Sequence, residues 1–236
     1  MDEQHDEQAQ GGYRVTPVTR APWLTRAEPD VAASPVRHVL FDADGVLQHA
    51  PCGWETAAEA YLGERTTEFL SRVWEEELRA LTGHAELLPL LAAAMTDFGV
   101  IAPPEEVHRA LWLRIEPVEE SFAVVGALRR NGYGVHLGTN QERNRATHMR
   151  EVLGYDALFD VSCYSWELGV CKPDPAFFTE AASRIGADPE DIVFIDDSAR
   201  NVAAARDVGL GAEQWTLTDG HPALLSLLAQ HGIATS

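Results

Sequence analysis

The chain has 236 residues, 45% hydrophobic and 23% charged, an ordinary globular make-up long enough for one elaborated domain or two unequal ones. Lys+Arg at 18 against Asp+Glu at 37 give a formal net charge of -19, which leaves no basic stripe for nucleic acid. The same field would slow capture of anionic small molecules unless a local cation or metal inverts it.

Residues 1–34 carry Gly11, Gly12, Pro17, Pro22 and Pro29 among many charges, without sustained periodicity. They are expected to form a flexible extension, with Trp23 and Leu24 as anchors on the domain surface. Val39, Leu40 and Phe41 then make a short apolar run, the pattern of a central parallel strand covered on both faces. Asp42 and Asp44 end it one residue apart, and Gly45 lets the backbone turn sharply. Taken alone, the two carboxylates read equally well as a solvated acidic turn.

Helical periodicity follows for about seventy residues, over 66–81, 86–98 and 104–113, with no strand pattern. Trp74 and Trp112 are assigned to the core of this insert, and Glu75, Glu76 and Glu77 to a solvated helix face. A further helix is predicted over 117–130. Strands over 133–137, 159–164, 192–195 and 213–217 then alternate with helices over 141–153, 175–185, 198–208 and 222–231.

This succession predicts an α/β fold: a Rossmann-like parallel sheet with helices on both faces, and a small helical cap inserted after the first strand. The core is assigned to 35–49 and 117–236, and the cap to 50–116, where it is placed to act as a lid. No apolar run reaches the roughly 18 residues needed to cross a bilayer. Cys52, Cys163 and Cys171 lack metal-ligand spacing and point to a reducing, cytoplasmic setting.

The polar groups that could carry chemistry fall at predicted strand ends. Thr139 and Asn140 precede a helix and could hold an anion, although either alone reads more simply as a helix cap. Lys172, just before Pro173, has a stiff backbone that could aim its ammonium. Asp196 and Asp197 end a second apolar strand. Two acidic strand ends on one sheet edge repel each other unless a cation lies between them. An oxygen-only ligand set without His or Cys suits Mg²⁺ and a phosphoryl group. His49, Trp54 and Tyr61, just past the first strand, are candidates for contacting the leaving group, with packing inside the bundle the simpler alternative for Trp54 and Tyr61. His136 and His148 show no ligand pairing.

This ordered set resembles the haloacid dehalogenase superfamily. Asp42 to Val46 resemble its first motif, Thr139-Asn140 its second, Lys172 to Pro175 its third, and Phe194 to Ser198 with Asn201 its fourth. The insert is similar to the helical cap of subfamily I. The resemblance implies that Asp42 is a nucleophile forming an aspartyl phosphate and that Asp44 protonates the leaving alcohol and later activates water. It implies that Thr139, Asn140 and Lys172 hold the phosphate, and that Asp42, the Asp44 carbonyl, Asp196 and Asp197 hold Mg²⁺. Dehalogenases, as the family pattern runs, lack an acid at the position of Asp44, since halide needs no proton. The expected function is therefore a Mg²⁺-dependent phosphatase acting on a small phosphorylated molecule. A dehalogenase, a phosphomutase and a non-catalytic binding module remain alternatives.

Overall fold

The computed structural model describes residues 36–51 and 53–235; the extension over 1–34 with Trp23 and Leu24, and Cys52, lie outside the described residues. Strand β1 (His38–Phe41) is buried from Val39 onward, as a run of Val, Leu and Phe without polar alternation requires. It pairs in parallel with β4 (Gly134–Thr139) on one side and β6 (Ile192–Asp196) on the other. β5 (Val161–Tyr164) and β7 (Gly211–Gln214) complete a parallel sheet in the order β5-β4-β1-β6-β7.

Side chains of β1 alternate between two cores. Val39 and Phe41 join Leu137, Ile195 and Trp215 under α5 (Glu119–Arg130) and α10 (His221–Gln230). Leu40 joins Phe194 on the opposite face, under α8 (Pro175–Ile185) and α9 (Ala199–Asp207), which supply Phe177, Phe178 and Val202. Each fully buried side chain of this size contributes about 1.5–3 kcal/mol. Because β4 and β6 flank β1 on opposite sides, the chain order reverses at β1. That reversal opens a crevice beyond the carboxyl ends of the three strands.

Among the described residues, four helices fill the insert: α1 (Gly53–Leu62), α2 (Thr66–Leu81), α3 (Leu87–Phe98) and α4 (Pro104–Leu111). They close around their own apolar cluster of Phe69, Leu70, Val73, Leu87, Leu91, Val107 and Trp112. The insert's root is a two-residue antiparallel pair, β2 (Gln48–His49) with β3 (Glu116–Pro117), a feature that its helical periodicity did not reveal.

Several boundaries differ from expectation for local reasons. β4 runs on to Thr139 because that residue still pairs with Tyr164. The next helix, α6 (Arg143–Thr147), starts two residues late because Glu142 caps it, accepting the Asn144 and Arg145 N–H groups at 2.7 and 2.6 Å. It then widens into a π-turn over His148–Val152. β5 starts at Val161, since Phe159 packs among Phe122 and Tyr155. β7 stops at Gln214, and Trp215 turns inward to donate its indole N–H to Gly220. No helix among the described residues is long and apolar enough to cross a membrane.

Candidate active site

Asp42 stands at the tip of β1, its backbone N–H donating to the Ile195 carbonyl at 2.9 Å. Its carboxylate meets Lys172 Nζ at 2.7 Å, and the same ammonium meets Asp196 Oδ2 at 2.7 Å. The Lys172 side chain is 1% exposed, the Asp196 side chain 0% and the Asp42 side chain 10%, so this ion triad opens to water only at Asp42. Lys172 is aimed by Asn140, whose amide donates to the Lys172 carbonyl at 2.9 Å and accepts its N–H at 2.8 Å. Asp196 is further held by the Ser198 N–H and the Asn201 amide.

Burial pushes the Asp42 carboxyl up to about 7; Lys172 opposes the shift and the Asp196 charge adds to it. Burial alone would lower the Lys172 ammonium, yet the two carboxylates outweigh it and raise it. Oxygens of Asp42, Asp196 and Asp197 lie within 4.8 Å of one another. Gly45, at φ 77°, allows the chain to pass beside this cluster, where a Cβ would collide with Asp197 Oδ2. Three converging carboxylates with one ammonium between them carry excess negative charge, and an all-oxygen set with that excess fits a hard divalent cation.

Asp44 points the other way, toward the cap. Arg145 grips it with two parallel bonds, Nη1 to Oδ2 at 2.5 Å and Nη2 to Oδ1 at 2.8 Å. Gln48 and Gln141 donate to the same carboxylate at 3.0 and 2.8 Å. Burial alone would raise the Asp44 carboxyl; the Arg145 charge and these bonds outweigh it and hold it at about 2. Arg145 also donates through Nε to the Trp112 carbonyl of the cap at 2.6 Å. A second buried bridge crosses the seam from His108 Nε2 to Glu142 Oε1 at 2.9 Å. The cap is thus latched to the residues that follow β4.

A cavity of about 270 Å³ lies in this seam, walled by Asp44, Trp54, Trp74, Glu77, Glu142 and Arg145 among others. A larger cavity, about 440 Å³, lies along α5 beside Phe122 and Tyr155, and its lining includes none of the strand-end carboxylates or Lys172.

The strand-end residues singled out in the sequence come together as Asp42, Lys172, Asp196 and Asp197. Thr139 lies buried at the end of β4 with its Oγ1 accepting from Gln141 at 2.9 Å, so its hydroxyl hydrogen is the part left to donate. Both polar atoms of the Asn140 side chain are engaged by Lys172, which makes it a holder of the lysine backbone, and Glu142 caps the helix instead of either. Trp54 lines the seam, edge-on to Trp112 at 5.4 Å. His49 lies on β2, 4.0 Å from Glu116, outside the residues walling the seam.

Two cap expectations are corrected. Trp74 is 43% exposed and faces the seam, because α2 turns Phe69, Leu70 and Val73 into the bundle instead. Glu77 is not on a solvated face: Trp112 Nε1 donates to it at 2.8 Å, and burial raises its carboxyl. His136 shares a ring hydrogen bond with His38 at 3.1 Å. Gln141, Glu142 and Arg145 were not singled out from the sequence. Gln141 precedes the Glu142 cap and Arg145 lies in the first turn of α6, close enough for Arg145 Nη1 to donate to Gln141 Oε1 at 2.5 Å.

A family model described as haloacid dehalogenase-like hydrolase matches residues 36–209. A plasmid-borne phosphoglycolate phosphatase of Cupriavidus necator is 33% identical over 185 residues, 75% of this chain and 79% of that protein. Acyl-CoA dehydrogenase family member 10 of Mus musculus is 25% identical over 190 residues, 74% of this chain, which spans only 17% of the mouse protein. Among solved structures, a HAD-family enzyme of Bacteroides thetaiotaomicron in complex with magnesium and inorganic phosphate superposes with a TM-score of 0.64. It is 18% identical, covering 76% of this chain and 93% of that one, a likeness of fold.

Proposed function

The chain belongs to the haloacid dehalogenase-like hydrolases and is a phosphatase of that kind; we propose that it hydrolyses a small phosphate monoester with Mg²⁺ through a phosphoryl group carried by Asp42. The observation that carries this reading is the buried triad of Asp42, Lys172 and Asp196 beside Asp197 at the strand ends. Asp42, Asp196 and Asp197 would hold the metal, which when bound offsets the phosphate's charge and polarises its oxygens. The magnesium and phosphate named for the Bacteroides relative support the same choice of ion.

In the proposed reaction an Asp42 oxygen bonds to phosphorus as the bond to the leaving oxygen breaks, and that oxygen takes a proton from Asp44. Lys172 offsets charge on the nucleophile and on the transferred group, and the Thr139 hydroxyl donates to a phosphoryl oxygen. Water then attacks phosphorus, Asp44 takes its proton, and the Asp42–phosphorus bond breaks. As clamped, Asp44 is an ionised carboxylate suited to that second step. Donating in the first requires Arg145 to draw back, and the Trp112 carbonyl ties that movement to the cap. The free thiols Cys163 and Cys171 support a reducing cytoplasmic setting as part of this proposal.

The reading is tested with p-nitrophenyl phosphate. Hydrolysis is expected with Mg²⁺, should cease with EDTA and return when Mg²⁺ is restored. Turnover indifferent to both treatments contradicts the metal site.

A further inference from the structure

The seam cavity beside Asp44 has an unusual charge balance. Its described lining carries three carboxylates, Asp44, Glu77 and Glu142, against a single cationic side chain, Arg145. That guanidinium is already engaged by Asp44, Gln141 and the Trp112 carbonyl. Glu142 is engaged too, Oε1 by His108 and the Arg145 N–H, Oε2 by the Asn144 N–H. Glu77 differs. Its Oε1 accepts from Trp112, and its Oε2 has no hydrogen-bond partner among the described residues. Beside it, the indoles of Trp54 and the 43% exposed Trp74 provide aromatic surface.

On the phosphatase reading above, we propose that this cavity is the leaving-group subsite and that Glu77 determines its specificity. It would select phosphate monoesters whose alcohol carries a protonated amine over those carrying a carboxylate or a second phosphate. An ammonium group can donate to Glu77 Oε2 while lying against the tryptophan faces, where the ring quadrupoles attract cations. It also relieves a carboxylate that burial already disfavours in its charged form. An anionic substituent would enter a site with excess negative charge, and the only cation in its described lining is committed to Asp44.

The experiment compares kcat/KM for three esters of nearly equal size, 2-aminoethyl, 2-hydroxyethyl and carboxymethyl phosphate, with p-nitrophenyl phosphate as a general reporter of phosphatase activity. The wild type should prefer the aminoethyl over the carboxymethyl ester by about tenfold or more, with the hydroxyethyl ester between. Glu77→Gln retains an oxygen to accept the Trp112 N–H and should shrink that preference to within about threefold. Carboxymethyl phosphate turned over as well as the aminoethyl ester, or a preference unmoved in Glu77→Gln, overturns the subsite while p-nitrophenyl phosphate turnover leaves the phosphatase reading standing. Failure on every ester, the reporter included, overturns both. Should the variant not fold, competitive inhibition of the wild type decides: ethanolamine is expected to inhibit more strongly than glycolate, and the reverse order overturns the proposal.

Discussion

The sheet edge and the cap seam solve opposite problems with similar groups. At the edge, Lys172 lies between Asp42 and Asp196, all three nearly sealed from water, and every contact serves to fix charge in place. At the seam, Arg145 holds Asp44, whose side chain is 41% exposed, and at the same time grips the cap through the Trp112 carbonyl. The first arrangement cannot move without exposing buried charge. The second has to move if Asp44 is to exchange protons with a substrate. The two ion pairs therefore differ in kind, one rooted in strands and one shared between the sheet and the helical insert.

The largest effects should come from the edge. Asp42→Asn is expected to lower kcat by about a thousandfold or more while circular dichroism and the melting transition stay near wild type; retention of most activity breaks the nucleophile assignment. Lys172→Met leaves two buried carboxylates uncompensated and should cost about 3–5 kcal/mol in urea unfolding, a loss that added Mg²⁺ partly restores. A cost below about 1 kcal/mol would mean that the triad is not sealed in solution.

The seam should respond differently. Arg145→Ala removes the clamp that keeps Asp44 ionised for the water-attack step shared by every substrate, so turnover of p-nitrophenyl phosphate, whose leaving group needs no proton, should fall by about 10- to 100-fold and the acidic limb of its kcat profile should move to higher pH. A loss with that limb unmoved would assign Arg145 to the phosphate and not to Asp44.

A pH experiment sharpens the contrast further. In metal-free protein the Asp42 carboxyl has its pKa raised to about 7, above its unfolded value. Its contribution to stability is fully present below the unfolded pKa and is lost as pH rises through about 7. Mg²⁺ competes with that proton, so the rise in Tm on adding Mg²⁺ should be larger at about pH 8.5 than at about pH 5. A smaller rise at the higher pH would remove Asp42 from the metal site.

The smallest effect is reserved for the cap surface. Trp74→Ala should change stability by no more than about 0.5 kcal/mol, whereas Trp112→Ala, at 1% exposure, should cost about 3–5 kcal/mol.

The edge was legible in the sequence because Asp42 and Asp196 each directly follow an apolar run, and a buried parallel strand delivers its next residue to one known side of the sheet. Asp42 and Asp196 needed only that rule. The seam was not legible in the same way. Glu77 belongs to a run of three glutamates, and only the packing of α2 against Trp112 decides which of them turns inward. Trp74 was misplaced for the same reason: a helix with several apolar positions can bury one stripe, and Phe69, Leu70 and Val73 took it. Arg145 has no local signature, since its partners Asp44 and Trp112 are far away in the chain.

The role proposed for Asp42 is to carry the phosphoryl group. It is tested most directly by acid-quenching the enzyme during turnover of a ³²P-labelled phosphate monoester and mapping the label by peptide. An acid-stable, base-labile phosphoryl adduct is expected on the peptide containing Asp42 and is expected to be absent from Asp42→Asn. A label on any other residue, or turnover at the wild-type rate by the unlabelled Asp42→Asn protein, would contradict it.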